Sequence, residues 1–239
     1  MKKVLTYLFF IALLVGLSFL YAFSSARNGK KKVIDIVIEF EEGSNYFLNQ
    51  KMVNKLLIQN QKEVKNQPKS IIDLQGLEHK MMLNPYIEKA VVFLSIDGVL
   101  KTTLKQRTPI ARINISDSSY YVDSQGIKFP LSTNYSARVI LVTGVLNEKK
   151  LSKITHLVNT VLADDFLKKE IVGVHKTQKG EFVLSVRSGK QKIELGALEN
   201  LGIKFKKLKA FYNKAYVDKT IDKYKVINLK YHNQVVCTK

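Results

Sequence analysis

The side chains best equipped for catalysis are few and scattered in this 239-residue chain. His79, His156, His175 and His232 fall in separate segments, with no spacing that would bring two imidazoles to one metal ion or one substrate. No His-Glu-x-x-His pattern and no Gly-x-Ser-x-Gly elbow occurs, and Cys237, the single cysteine, supplies neither a zinc thiolate set nor an internal disulfide. Ser188-Gly189-Lys190 lacks the upstream glycine and the following Ser or Thr of a phosphate-cradling loop. The acid pairs Glu41-Glu42 and Asp164-Asp165 read as charges of a turn and of a helix end rather than as a general acid and base. Asn114 and Asn134 open N-x-S tripeptides, which carry meaning only in a eukaryotic secretory pathway. The pattern predicts binding rather than turnover: no catalytic residue, no metal ligand and no cofactor or small-molecule substrate is expected.

Binding to what is bounded by charge and hydropathy. The formal charge of +19 comes from 34 Lys and 5 Arg against 20 acids. Clustered bases would suit nucleic acid, but these lysines are spread over every segment without an RNP, KH or zinc-finger pattern. A solvated lysine-rich surface is the favoured reading and a nucleic-acid partner is not expected; attraction to anionic lipid head groups is a third reading.

Residues 4–23, VLTYLFFIALLVGLSFLYAF, carry no charge. As a helix they extend ~30 Å, the thickness of a bilayer's hydrocarbon. The run is longer and bulkier than a cleaved signal's apolar region, although Ser24-Ser25-Ala26 has the small residues of a cleavage site. An uncleaved transmembrane anchor is therefore expected, preceded by a tail of residues 1–3. Lys2 and Lys3 face Arg27, Lys30, Lys31 and Lys32 across the span, so the charge count alone places the bulk of the chain in the cytoplasm.

Beyond the anchor, residues 32–40 alternate, with Ile34, Ile36, Ile38 and Phe40 on one face, and predict a strand. Asn49 is placed to cap a helix bearing Met52, Val53, Leu56 and Leu57, and Asp73 one bearing Leu74, Leu77 and Met81 that Asn84-Pro85 ends. Asp97-Gly98 between residues 86–96 and 99–107 is a two-residue hairpin signal. The expected order is strand, helix, helix, strand, strand. After Thr108-Pro109 strands dominate: a hairpin over 120–131 whose Pro130 confines it to an edge, a strand at 139–143, and a meander over 171–175, 181–187 and 191–195. A helix runs through Leu151, Ile154, Leu157, Val158, Val161, Leu162 and Phe166. A second covers 198–215, with Lys204, Lys206, Lys207 and Lys209 around a wet face. Residues 224–236 alternate and predict one long last strand.

The stretches NPYIEKAVVFLSIDGVLKTTLKQRTPIARI (84–113), SYYVDSQGIKFPLS (119–132), YSARVILVTG (135–144) and YKVINLKYHNQVV (224–236) resemble the bacterial cell-division family FtsQ, called DivIB in Gram-positive species, in its Bacteroidetes-type form. The resemblance implies an α+β fold: a cytoplasmic tail (1–3), one transmembrane helix (4–23), a linker (24–31), a POTRA domain (32–107) and a mixed β domain (108–239) with a C-terminal edge strand. It also implies a single-pass inner-membrane protein with its bulk in the periplasm, against the charge count, gathered at the division septum. The role implied is a non-enzymatic divisome scaffold for septum assembly, joined to FtsB- and FtsL-like partners by strand addition at the last strand.

Matched to this chain, that strand is Ile227, Asn228, Leu229, Lys230, Tyr231, His232, Asn233, Gln234, Val235 and Val236, where main-chain bonds give affinity and alternate side chains select the partner. Lys230 is a candidate to pair with a partner's acid and Tyr231 to lie in the interface. Lys101, Lys105 and Arg107, sharing one face of the 99–107 strand, form a second candidate surface. Two other classes stay open: a POTRA-bearing factor that handles unfolded polypeptide, and a membrane-anchored cell-wall hydrolase.

Overall fold

Residues Lys2–Lys30 form one uninterrupted helix, α1, whose apolar stretch is exposed along its length and is long and apolar enough to cross a membrane. This computed structural model describes residues 2–43, 46–58, 64–115, 118–144, 151–232 and 234–239. Of the positions singled out above, Met1 and Asn233 lie outside them. The chain divides into two compact units, Met1–Arg107 and Thr108–Lys239.

In the first unit the elements are β1 (Asp35–Phe40), α2 (Gln50–Leu56), α3 (Leu74–Met82), β2 (Ile87–Leu94) and β3 (Val99–Gln106). Both helix starts follow from local chemistry. The Asn49 side chain accepts the Met52 N–H at 3.0 Å and the Asp73 carboxylate that of Gly76 at 2.8 Å, satisfying donors that a first turn leaves open. The sheet runs β1-β3-β2, with β1 parallel and β2 antiparallel to the central β3. Leu100, Thr102 and Leu104 of β3 are buried, and Val53, Leu57, Leu77 and Met81 of the helices join the core on that side.

Here β1 starts three residues later than the alternation predicts. Val33 donates to the Gln67 carbonyl and Ile34 to that of Gly98, so loops rather than a ladder hold residues 33 and 34. Val33 is thereby buried and Ile34 is 56% exposed, the reverse of the expected facing. Gly98 takes φ +94°, and a β-carbon there would lie 2.7 Å from the Lys32 carbonyl, which explains glycine in the hairpin. The buried Gln106 closes the unit: its Oε1 accepts the N–H groups of Phe47 and Leu48, both at 3.0 Å, and its Nε2 donates to the Leu48 carbonyl at 2.8 Å.

Among its described residues the second unit has nine strands: β4 (Pro109–Ile115), β5 (Ser118–Asp123), β6 (Lys128–Pro130), β7 (Ile140–Gly144), β8 (Ile171–Lys176), β9 (Phe182–Val186), β10 (Lys192–Gly196), β11 (Val226–Asn228) and β12 (Val236–Thr238). They form one sheet, β12-β11-β10-β9-β8-β7-β4-β5-β6. Helices α4 (Leu151–Leu162), α5 (Asp165–Glu170) and α6 (Leu201–Val217) supply Leu157, Val158, Val161, Leu167, Phe205, Leu208 and Tyr212 to one core, against Ile113, Val142, Val174, Leu184, Ile193 and Ile227 of the strands. These six strand residues occupy one row across the sheet by register.

Three sequence expectations need correction. β4 has no counterpart among the expected strands. The helix expected to run through Phe166 breaks before Asp164, whose carboxylate accepts the N–H groups of Phe166 at 3.1 Å and Leu167 at 3.0 Å and so starts a separate helix. The Lys209 ammonium, 2.5 Å away, and then those N–H groups hold this carboxyl below its ordinary range. The single long strand over 224–236 is in fact two short strands, β11 and β12, paired antiparallel with a turn between them.

Replacing Gln106 with Leu strands two buried N–H groups and a carbonyl. We expect a loss of about 3 kcal/mol in the first unit, read as a lower urea midpoint for that unit with the unfolding of the second unchanged.

Candidate functional site

An open sheet presents unpaired main-chain groups at its two ends, and in the second unit these are β6 and β12. Both end strands are three residues long, but only the β6 end carries a proline, Pro130, beside Lys128, whose ammonium lies 5.2 Å from the centre of the Tyr120 ring. The β12 end, Val236-Cys237-Thr238, has no proline, and no strand is paired to its outer side among the described residues. The Thr238 carbonyl accepts from the Lys225 N–H at 2.8 Å, so strand alternation turns the N–H and C=O of Cys237 away from β11. Cys237 packs its thiol toward the core, where burial pushes its pKa up, and Val236 is 39% exposed.

The ten residues expected to form the partner strand are divided by the fold. Ile227 and Leu229 are fully buried, and β11 lies between β10 and β12, so the backbone of Ile227 and Asn228 is already in a ladder on both sides. Asn228 ends β11 by accepting the Lys230 N–H on its own side-chain oxygen at 2.9 Å, an Asx turn, while its amide donates to Glu194 at 2.8 Å. Lys230, Tyr231 and His232 are therefore in the turn. Gln234 and Val235 lead into β12, with Val235 packed on the core, and only Val236 of the ten lies on the outermost strand.

Lys230 is engaged within the chain rather than offered to a partner. Its ammonium is 3.0 Å from Glu181 and 3.3 Å from Glu194, and the hydrogen bond to Glu181 leads the effects that raise its pKa, with desolvation opposing. Its stem passes over Gly196, φ +72°, where a β-carbon would lie 2.8 Å from Lys230 Cγ. Lysines of α6 hold the same region. Lys207 donates to the carbonyls of Tyr231 at 2.6 Å and His232 at 3.1 Å, and Lys204 to those of Leu195 at 2.9 Å and Ala197 at 2.6 Å. The expected wet face of α6 is thus partly a set of clamps, and partial burial lowers the pKa of Lys204. Tyr231 remains 51% exposed, beside a cleft of about 350 Å³ that Ile203 also lines.

The second candidate surface changes character as well. Lys101 and Lys105 lie on β3, the central strand, and so face out from the sheet rather than along an edge. Lys105 pairs with Glu88 at 2.7 Å, and Arg107 donates to the Pro85 carbonyl at 3.2 Å. Sequence reasoning missed β12 itself; the one available signal was Asn228, a residue type that readily makes an Asx turn. Among the described residues no group of three or more His, Cys, Asp or Glu could hold a metal ion.

A family model described as FtsQ/DivIB, C-terminal related, matches residues 108–238, which is all but the last residue of the second unit. No curated protein matches the chain.

A Lys230→Met change removes the clamp on the turn before β12. We expect faster alkylation of Cys237 at pH 8 with little change in the melting temperature of the unit. In the parent chain the raised pKa means that the clamp is complete below the ordinary lysine range and is lost as pH rises through the folded value, so the turn should loosen only in strong alkali.

Proposed function

We propose that this chain, which belongs to the FtsQ/DivIB, C-terminal related family, is a divisome scaffold that captures a small coiled-coil pair of the FtsB and FtsL kind by strand addition along β12. Membership carries a cell-division scaffold role in a family of non-enzymatic scaffolds, and the single apolar helix α1 fits a membrane-anchored division protein. The identity of the partners, the site and the mechanism are the proposal.

The observation that carries it is the asymmetry of the sheet's two ends. A ladder extends only where N–H and C=O groups face outward without a proline or a cover, and among the described residues β12 meets that condition while β6, equally short, is blocked by Pro130. The partner-binding stretch is accordingly placed on Val236, Cys237 and Thr238, with Tyr231 and Ile203 as neighbouring apolar contacts, instead of along residues 227–236. Anchoring Ile227 and Leu229 in the core makes the edge rigid, so little order is lost when a strand docks.

The first unit is read as a POTRA domain, supported by its β1-α2-α3-β2-β3 order. The bulk of the chain is read as periplasmic and gathered at the septum. That reading rests on the family and runs against the lysines flanking α1.

A Cys237→Pro variant loses an outward-facing donor while Thr238, which faces β11, keeps its pairing. It should fold and lose capture of the FtsB-like partner at least tenfold; capture at the parent level would refute strand addition here. For topology, a reporter active only in the periplasm, fused after Lys239, should be on. A dark fusion would place the units in the cytoplasm.

A further inference from the structure

One end of the first unit is built against the membrane helix. Lys69 donates to three acceptors there: Asn28 Oδ1 of α1 at 3.3 Å and the carbonyls of Ser95 at 2.8 Å and Ile96 at 2.6 Å in the β2–β3 turn. The Lys69 N–H also bonds the Lys31 carbonyl at 2.8 Å, and Ile34 donates to the Gly98 carbonyl at 2.8 Å. The turn end of the sheet is thereby fixed at a definite height on α1.

Asn28 lies five residues past Phe23, the end of the apolar run, or about 7.5 Å along the axis at ~1.5 Å per residue. The head-group layers take a bilayer from about 30 Å to about 40–45 Å, so Asn28 sits near the outer limit of that layer. Ile96 reaches back toward the membrane from there, because it shares a cleft with Tyr21, Ser24 and Arg27 of α1. Its side chain is 76% exposed, and Ile34 beside it and Ile71, two residues from Lys69, are 56% and 58% exposed. Exposed isoleucines are costly in water and at home at an interface. Around them stand Arg27, Lys30, Lys31 and Lys32, all exposed.

We propose that this end of the first unit rests on the bilayer surface, with Ile96, Ile34 and Ile71 seated in the interfacial layer and Arg27, Lys30, Lys31 and Lys32 on anionic phospholipid head groups. The inference depends on α1 crossing the bilayer but not on which side the units face. It gives part of the +19 charge a use: bases near an anionic surface each favour the docked state by about fivefold at low salt, and together with the isoleucines they would hold the sheet of the first unit upright on the membrane.

The test uses the full chain with Cys237→Ser, reconstituted in phosphatidylcholine vesicles with and without phosphatidylglycerol. A fluorophore is placed on Ile96→Cys, Leu83→Cys or Leu13→Cys and quenched by lipids spin-labelled at the head group or at mid-chain. Leu83 is the control, since it is 71% exposed, similar to Ile96, but lies beyond the opposite end of β2, roughly 23 Å along the strand. Position 96 should be quenched by the head-group label, position 83 should not, and position 13 should be quenched at mid-chain. Changing Arg27, Lys30, Lys31 and Lys32 to Gln should lower quenching at 96 in the anionic vesicles only. Quenching at 13 with no difference between 96 and 83 would overturn the inference and leave the anchor standing. No quenching at 13 would overturn both. Quenching at 96 indifferent to phosphatidylglycerol and to the Gln changes would overturn the head-group assignment.

Discussion

An open nine-stranded sheet has to end somewhere, and the main-chain donors and acceptors at its ends are the constraint on which the second unit turns. Its interior strands are satisfied on both sides, and α4, α5 and α6 close one face over a continuous apolar row from Ile113 to Ile227. Nothing in that packing answers for the terminal strands. At β6 a proline and a lysine reduce the appetite for another strand; β12, the other end of the sheet among the described residues, carries no proline. Two receptive edges on one sheet would let copies of a chain pair end to end.

The lysines give a second theme. Many lysines in one chain suggest a solvated coat, yet Lys69, Lys204, Lys207 and Lys230 each donate to two or more groups of the chain. Several of those acceptors are carbonyls at turns, which the ladders and helices do not reach. A flexible four-carbon stem with three donors can serve such acceptors at several angles, where a planar guanidinium is more restrictive. In a unit with no disulfide, such clamps hold short strands and turns that burial alone would leave loose.

What was legible in the sequence was what a few adjacent residues decide. Asn49 and Asp73 start helices because a short oxygen-bearing side chain at the cap meets the open N–H groups of the first turn wherever the helix later packs. Asp97-Gly98 marks a hairpin because Gly98 takes a positive φ, although the turn begins at Ser95 and is longer than the two residues expected. The misreadings arose where the pattern was compatible with two outcomes. Ile227, Leu229 and Tyr231 alternate as a strand does, and the first two do point into the core, but the Asx turn at Asn228 and the reach of Lys207 to the Tyr231 carbonyl bend the chain before Tyr231 can continue the face. Asp164 similarly interrupts an apolar stripe that runs on past it, since its carboxylate caps the N–H groups of Phe166 and Leu167 and is held there by Lys209, 45 residues away.

By itself the sequence determined the long apolar N-terminal helix, the α+β class and the order of elements in the first unit, all properties of composition and short-range periodicity. Tertiary structure alone decided which strands are edges, that β3 with Lys101 and Lys105 is central, that Lys230 is already paired, and that β12 rather than the whole 227–236 stretch is outermost. The physical reason is that a strand's neighbours lie far off in sequence: β1 beside β3, β4 beside β7, β10 beside β11. Alternation says which side chains share a face, but only the closed set of hydrogen bonds says which backbone is left to bind.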